Sequence, residues 1–162
     1  MPDFFHFISK YFWAVALAFS AFNFWIAERS ALKADSPEST AEARIYRRRF
    51  AITAALPWAI MGLGQSFGST PTVWHYFRPQ DGNVFVIAWL GVAFILACGF
   101  AWWVFVGDGA KKVVKYSLLS AVGQRSGKPP SIGTVKLFAA IGVAVVPLWV
   151  AGVISMNVQL PI

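Results

Sequence analysis

His6, His75 and Cys98 are the only histidines and cysteine in the 162-residue chain, and they are where any transition-metal chemistry would have to start. Metal centres usually take three or four such ligands, with carboxylates completing the set. The spacing of these three residues matches no metal motif, so no cofactor is expected. Both histidines fall on the side assigned below as outer. A two-histidine haem or metal site there is open only if further ligands, or a second chain, complete it. No apolar stretch holds a histidine at its centre, which argues against a transmembrane cytochrome with axial histidines. With one cysteine there is no internal disulfide and no dithiol redox pair. Cys98 reads as a small packing residue.

Proton-coupled transport calls for a carboxylate at membrane depth. Glu28 and Asp108 come closest, and both stand at the ends of apolar stretches rather than within them. Phosphate-binding loops, nucleophile elbows and zincin helices are absent. What remains is polar and uncharged, apart from one lysine. Gln65 and Asn157 fall near the outer ends of their apolar stretches, Lys10 approaches the same level, and His75 lies just above it. Lys10, Gln65, His75 and Asn157 are therefore expected to form a polar cluster, with Arg78 beside His75 as a further ligand candidate. The plain alternative is interhelical hydrogen bonding, worth ~0.6 kcal/mol per contact in a membrane. Near a helix end, Lys10 is expected to snorkel outward along its methylene stem.

The elements that must position these residues dominate the chain. Four apolar stretches run over about 4–27, 50–68, 84–107 and 137–160. A hydrocarbon core ~30 Å thick needs roughly 20 apolar helical residues. Continuous apolar runs favour helices over barrel strands, which alternate and are shorter. The hydrophobic share is 57% and the charged share 13%, against ~25% charged in soluble domains. The fold expected is an all-α integral membrane protein: a single domain, 1–162, forming a four-transmembrane-helix bundle.

Twelve of the fourteen lysines and arginines fall in two segments. Arg29, Lys33, Arg44, Arg47, Arg48 and Arg49 lie between the first and second spans. Lys111, Lys112, Lys115, Arg125, Lys128 and Lys136 lie between the third and fourth. The positive-inside rule puts both segments in the cytoplasm, with N- and C-termini and the 69–83 loop outside. The net charge of +7 is thus explained by orientation and anionic inner-leaflet lipid, worth roughly 1 kcal/mol per basic residue near the surface, and no nucleic-acid partner is expected. The first stretch lacks a basic lead and a small-x-small cleavage site, so it reads as retained. A bacterial cytoplasmic membrane is the expected location.

Local signals refine this outline. Asp35-Ser36-Pro37-Glu38 is a helix start, with no breaker before Pro57, so one helix is expected from about Pro37 into the second span. Gly62, Gly64, Ser66 and Gly68 form small-xxx-small pairs for close helix approach, expected within the chain rather than between chains. The aromatic 69–83 loop, with its Pro and Asp-Gly turns, reads as an interfacial anchor. Residues 110–122 alternate lysines with Val and Leu, which suits an amphipathic helix on the inner leaflet.

Three functions follow. The leading one is a non-catalytic accessory or scaffold subunit of a membrane complex, or a small homo-oligomer. Its lipid- and partner-docking residues would be Arg44, Arg47, Arg48, Arg49, Lys111, Lys112 and Lys115. The second is a transporter or channel component, with breaks at Pro57 and Pro147. The third is a redox, lipid- or quinone-handling protein using the outer aromatic loop.

Overall fold

A computed structural model of the chain describes residues 2–31, 37–116, 118, 119 and 131–155. Among the described residues there are five α-helices and no strand. They are α1 (Pro2–Ala31), α2 (Pro37–Ser66), α3 (Val84–Phe105), α4 (Gly109–Lys115) and α5 (Ile132–Ser155). Two short 3-10 helices, Val73–Phe77 and Pro79–Asp81, fill the connection between α2 and α3.

Three of the helices are long and apolar enough to cross a membrane: Phe4–Ile26 within α1, the whole of α3 and the whole of α5. Only 6% of the α1 window and 11% of the α5 window are buried within the protein, against 22% for α3. Long helices lined with outward Phe, Ile, Val and Leu cannot face water stably, so lipid is their solvent. The protein is a membrane protein. The second helix is not one of the three. Its apolar half, Phe50–Ser66, spans ~25 Å at 1.5 Å per residue and includes Pro57 and Gln65. Its other half is a charged foot.

Helix contacts run in the order α1, α2, α3, α5, and α4 closes the end of α3 and α5. The helix α2 passes unbroken from Pro37 through Pro57, whose ring nitrogen leaves the Thr53 carbonyl without its helical donor. It ends at Ser66, two residues before Gly68, which adopts φ +71°, while the Ser69 and Thr70 N–H groups both donate to the Gly64 carbonyl. A left-handed residue and shared carbonyl close the last turn.

Two buried clusters hold the assembly. One joins Ala43 of α2 to Ala101 and Val104 of α3, Val113 of α4, Tyr116 and Leu118, and Val135 and Ala139 of α5. The other lies at the opposite end, where Met61, Tyr76, Val86, Trp89 and Leu90 pack with Trp13, Trp58 and Trp149. The amphipathic segment expected over 110–122 begins as α4, which ends at Lys115. Its apolar side is turned into the first cluster, with Val113 fully buried, rather than onto a leaflet. Residues 117 and 120–122 lie outside the described residues. Cys98 also departs from its expected packing role: it is exposed on α3, facing away from the neighbouring helices.

Candidate functional site

The aromatics of the 69–83 loop do not all lie flat as anchors. Trp74 stays outward, but Tyr76 is completely buried and Phe77 meets Trp149 edge-on at 6.4 Å. Tyr76 and Trp89 stand 5.3 Å apart, as do Trp89 and Trp149, both pairs edge to face. The loop is a plug in the end of the helices. Asn83 ties it down, since its side-chain oxygen accepts from the Phe85 N–H at 2.9 Å and its amide donates to the Ser69 carbonyl at 2.8 Å.

The glycine-rich face of α2 makes this insertion feasible. A Cβ on Gly62 would stand 2.7 Å from the Trp13 ring. A Cβ on Gly64 would collide with the Tyr76 hydroxyl, with Thr70 Oγ1 at 2.7 Å and with Phe85 Cβ at 2.9 Å. These two glycines therefore serve contacts inside the chain. Gly68 has open space around it and acts through its backbone, and Ser66 turns to the cleft described next.

A half-open cleft of about 340 Å³ lies between the first third of α1 and the end of α2. It is lined by His6, Lys10, Tyr11, Trp13, Gln65, Ser66, Gly68 and Pro71. Both polar atoms of the Gln65 side chain, Nε2 and Oε1, are enclosed and without a hydrogen-bond partner. Buried amides are nearly always paired, so an unmatched donor and acceptor in one side chain is an unusual feature. Lys10 makes no ion pair among the described residues; its Nζ stands 5.7 Å from the centre of the Tyr11 ring.

The structure thus brings Lys10 and Gln65 to one cleft and leaves the other expected members apart. His75 turns to its own loop, where Nδ1 lies 3.1 Å from Thr72 Oγ1 and accepts from the Thr72 N–H at 3.4 Å. Arg78 pairs with Asp81 at 3.1 Å. Asn157 lies outside the described residues. His6 and Trp13 join the cleft without having been singled out for it. Their signal was readable, because positions 6, 10 and 13 share one face of a helix.

At the other end of α1 and α2, Glu28 clamps the two helices. Arg44 Nε donates to one carboxylate oxygen at 3.1 Å and Arg47 Nε to the other at 3.3 Å. Arg47 is buried, and its Nη2 is enclosed without an acceptor among the described residues. Arg44, Arg48 and Arg49 are exposed. The foot of α2 then meets α4. Tyr46 and Tyr116 stack at 4.9 Å with an 11° interplanar angle, Lys112 Nζ lies 5.3 Å from the Tyr46 ring centre, and Lys115 pairs with Glu42 at 3.9 Å. Lys111 pairs with Asp108 at 3.2 Å, in the open. The pKa of Lys112 is raised, first by its hydrogen bond with Tyr46, and that of Lys115 is raised, first by its hydrogen bond with Tyr116. Both stay cationic, and the foot of α2 and the end of α4 come together on one side of the helices.

No three His, Cys, Asp or Glu side chains come together among the described residues. No protein family matches the chain, nor does any curated protein or solved structure.

Proposed function

We propose that this protein is a four-span subunit of the bacterial cytoplasmic membrane, with both termini outside, which supports a larger complex without carrying out chemistry of its own. The apolar half of α2 is the second span, beside α1, α3 and α5. One observation carries the reading: the Tyr46–Tyr116 stack and the Lys115–Glu42 pair join the foot of α2, in the first basic segment, to the end of α4, in the second. Two segments in contact lie on the same side of the bilayer, as the charge distribution requires.

That side has two tasks. Arg44, Arg48 and Arg49 stand beside the apolar half of α2, where inner-leaflet phosphates would meet them. Lys111, Lys112 and Lys115 form a platform on α4 for the acidic surface of a partner subunit. Charge complementarity of this kind steers association and fixes register.

The orientation is tested with single cysteines in a Cys98→Ala background. An impermeant maleimide on intact cells should label Gln80→Cys and spare Lys111→Cys; the reverse pattern ends the topology. The accessory role is tested by native mass spectrometry of gently extracted protein. A stoichiometric foreign subunit should accompany the unaltered chain and be lost from the Lys111→Glu, Lys115→Glu double variant. If that variant keeps the subunit, the docking face is wrong.

A second reading, ligand handling for transport, is favoured by the cleft around Gln65. It predicts that Gln65→Leu abolishes flux while leaving assembly intact.

A further inference from the structure

We propose that the cleft between α1 and α2 binds the headgroup of an anionic, hydroxyl-bearing phospholipid, a polyol phosphodiester of the phosphatidylglycerol type. The proposal does not depend on the accessory role or on the contact between the foot of α2 and α4, which lies at the other end of the helices.

The first argument is the unmet valence of Gln65. Its amide nitrogen and oxygen are both enclosed with nothing to bond. Leaving both unpaired is costly, and a turn of this side chain into the cleft would be favoured by an occupant that offers an acceptor and a donor side by side. The second is charge. The lining carries the Lys10 ammonium, the His6 imidazole, the Tyr11 phenol and the Ser66 hydroxyl and, among the described residues, no carboxylate. Such a lining is rich in donors and bears a cation that no described residue neutralises, which selects an anion. A phosphodiester supplies acceptors to Lys10 and Gln65 Nε2, and a hydroxyl on the same headgroup supplies the donor that Gln65 Oε1 lacks.

The third argument is location and size. The cleft lies at one end of a spanning helix, level with the last turn of α2, where headgroups sit. About 340 Å³ falls in the ~300–1,000 Å³ range of small-molecule sites. A phosphocholine headgroup fits less well, because it has no hydroxyl donor and places a second cation near Lys10.

The test uses the full chain, delipidated in dodecyl maltoside, and native mass spectrometry with added dioleoyl-phosphatidylglycerol. One lipid per chain should bind and should survive activation that strips phosphatidylcholine. Gln65→Leu and Lys10→Gln should each weaken it about tenfold or more, the worth of one hydrogen bond to a charged group. Gln65→Glu, which keeps the size and adds repulsion, should do the same. Lys136→Gln removes an exposed cation elsewhere and should change nothing. Each variant is checked for an unchanged elution profile, so that misfolding is not read as lost binding. Equal phosphatidylglycerol affinity in the unaltered chain and in Gln65→Leu and Lys10→Gln overturns the proposal, as does equal retention of phosphatidylcholine. Saturation by glycerol phosphate with no gain from acyl chains assigns the same donors to a soluble phosphate ester and overturns the lipid as the source.

Discussion

The Tyr76 hydroxyl donates to the Met61 carbonyl oxygen at 3.1 Å, linking the middle of a loop to a helix fifteen positions earlier in the chain. Thr70 Oγ1 lies 3.1 Å from the same phenol. The pair holds the plug in place at a point where neither group reaches solvent. Burial, partly offset by the Thr70 hydrogen bond, raises the pKa of Tyr76 above 10.0.

Removing the hydroxyl leaves the Thr70 group buried without this partner. Tyr76→Phe should therefore cost about 1–3 kcal/mol, read as a lower midpoint in thermal unfolding in detergent. Tyr76→Phe should also change the response to alkali. A raised folded pKa means that the folded state holds its proton while the unfolded state loses it. This contribution is complete below pH 10 and is lost as pH rises through the folded pKa. Tyr76→Phe should flatten that part of the pH profile; an unchanged alkaline limb would rule the coupling out.

Glu28 should matter more than either arginine's exposure suggests. Breaking the clamp at Glu28 leaves Arg47, whose side chain is only 6% exposed, without its counter-charge. The expected cost of Glu28→Gln is about 3–5 kcal/mol, the usual penalty for orphaning a buried charge. Arg44, 58% exposed at its side chain, should cost about 0–1 kcal/mol when replaced by alanine. Chemical denaturation of the three single variants, Glu28→Gln, Arg47→Ala and Arg44→Ala, checks the order. Equal losses for Glu28→Gln and Arg44→Ala would show that the clamp is a surface pair only.

The contrast between these two ends explains what was readable from residue order. The α1, α3 and α5 spans were legible because each is a continuous apolar run, and the start of α2 at Pro37 because capping chemistry is local. The Glu28 clamp was not, since Arg44 and Arg47 lie 16 and 19 positions away across a connection whose course no local rule dictates. Tyr76 was hidden for a similar reason. An aromatic loop resembles an interfacial anchor until Gly64 is known to open space for its phenol. Within the candidate site, Lys10 and Gln65 could be matched by depth alone. Depth says nothing about which way a side chain turns, and so His75, expected just above them, turns to Thr72 instead.

Rotation also decides which glycines are indispensable. Gly64→Ala places a methyl against Tyr76, Thr70 and Phe85 together and should cost about 1–3 kcal/mol by overpacking. Gly62→Ala meets only the Trp13 ring, which can shift, and should cost less. Gly91 and Gly99 of α3 have nothing within 4 Å of an added Cβ. Alanine there removes unfolded-state freedom without a clash and should be neutral or stabilising by up to about 1 kcal/mol. A thermal shift series over the four positions tests this. A drop at Gly91 as large as that at Gly64 would mean that a second chain covers α3 in the membrane.

Cys98 gives an independent reading of that same surface. It lies on α3 between Gly91 and Trp102, exposed and facing away from the other helices. A thiol in hydrocarbon is out of reach of charged reagents and ionises poorly, since the thiolate is the reactive form. In bilayer-embedded protein, a charged maleimide should leave Cys98 unmodified, and a lipid-soluble maleimide should modify it slowly. Solubilisation in mild detergent should accelerate the second reaction if lipid alone covers α3. If detergent brings no acceleration and modification stays incomplete, protein rather than lipid covers this face, and chemical crosslinking through Cys98 should then join two chains or a chain and its partner.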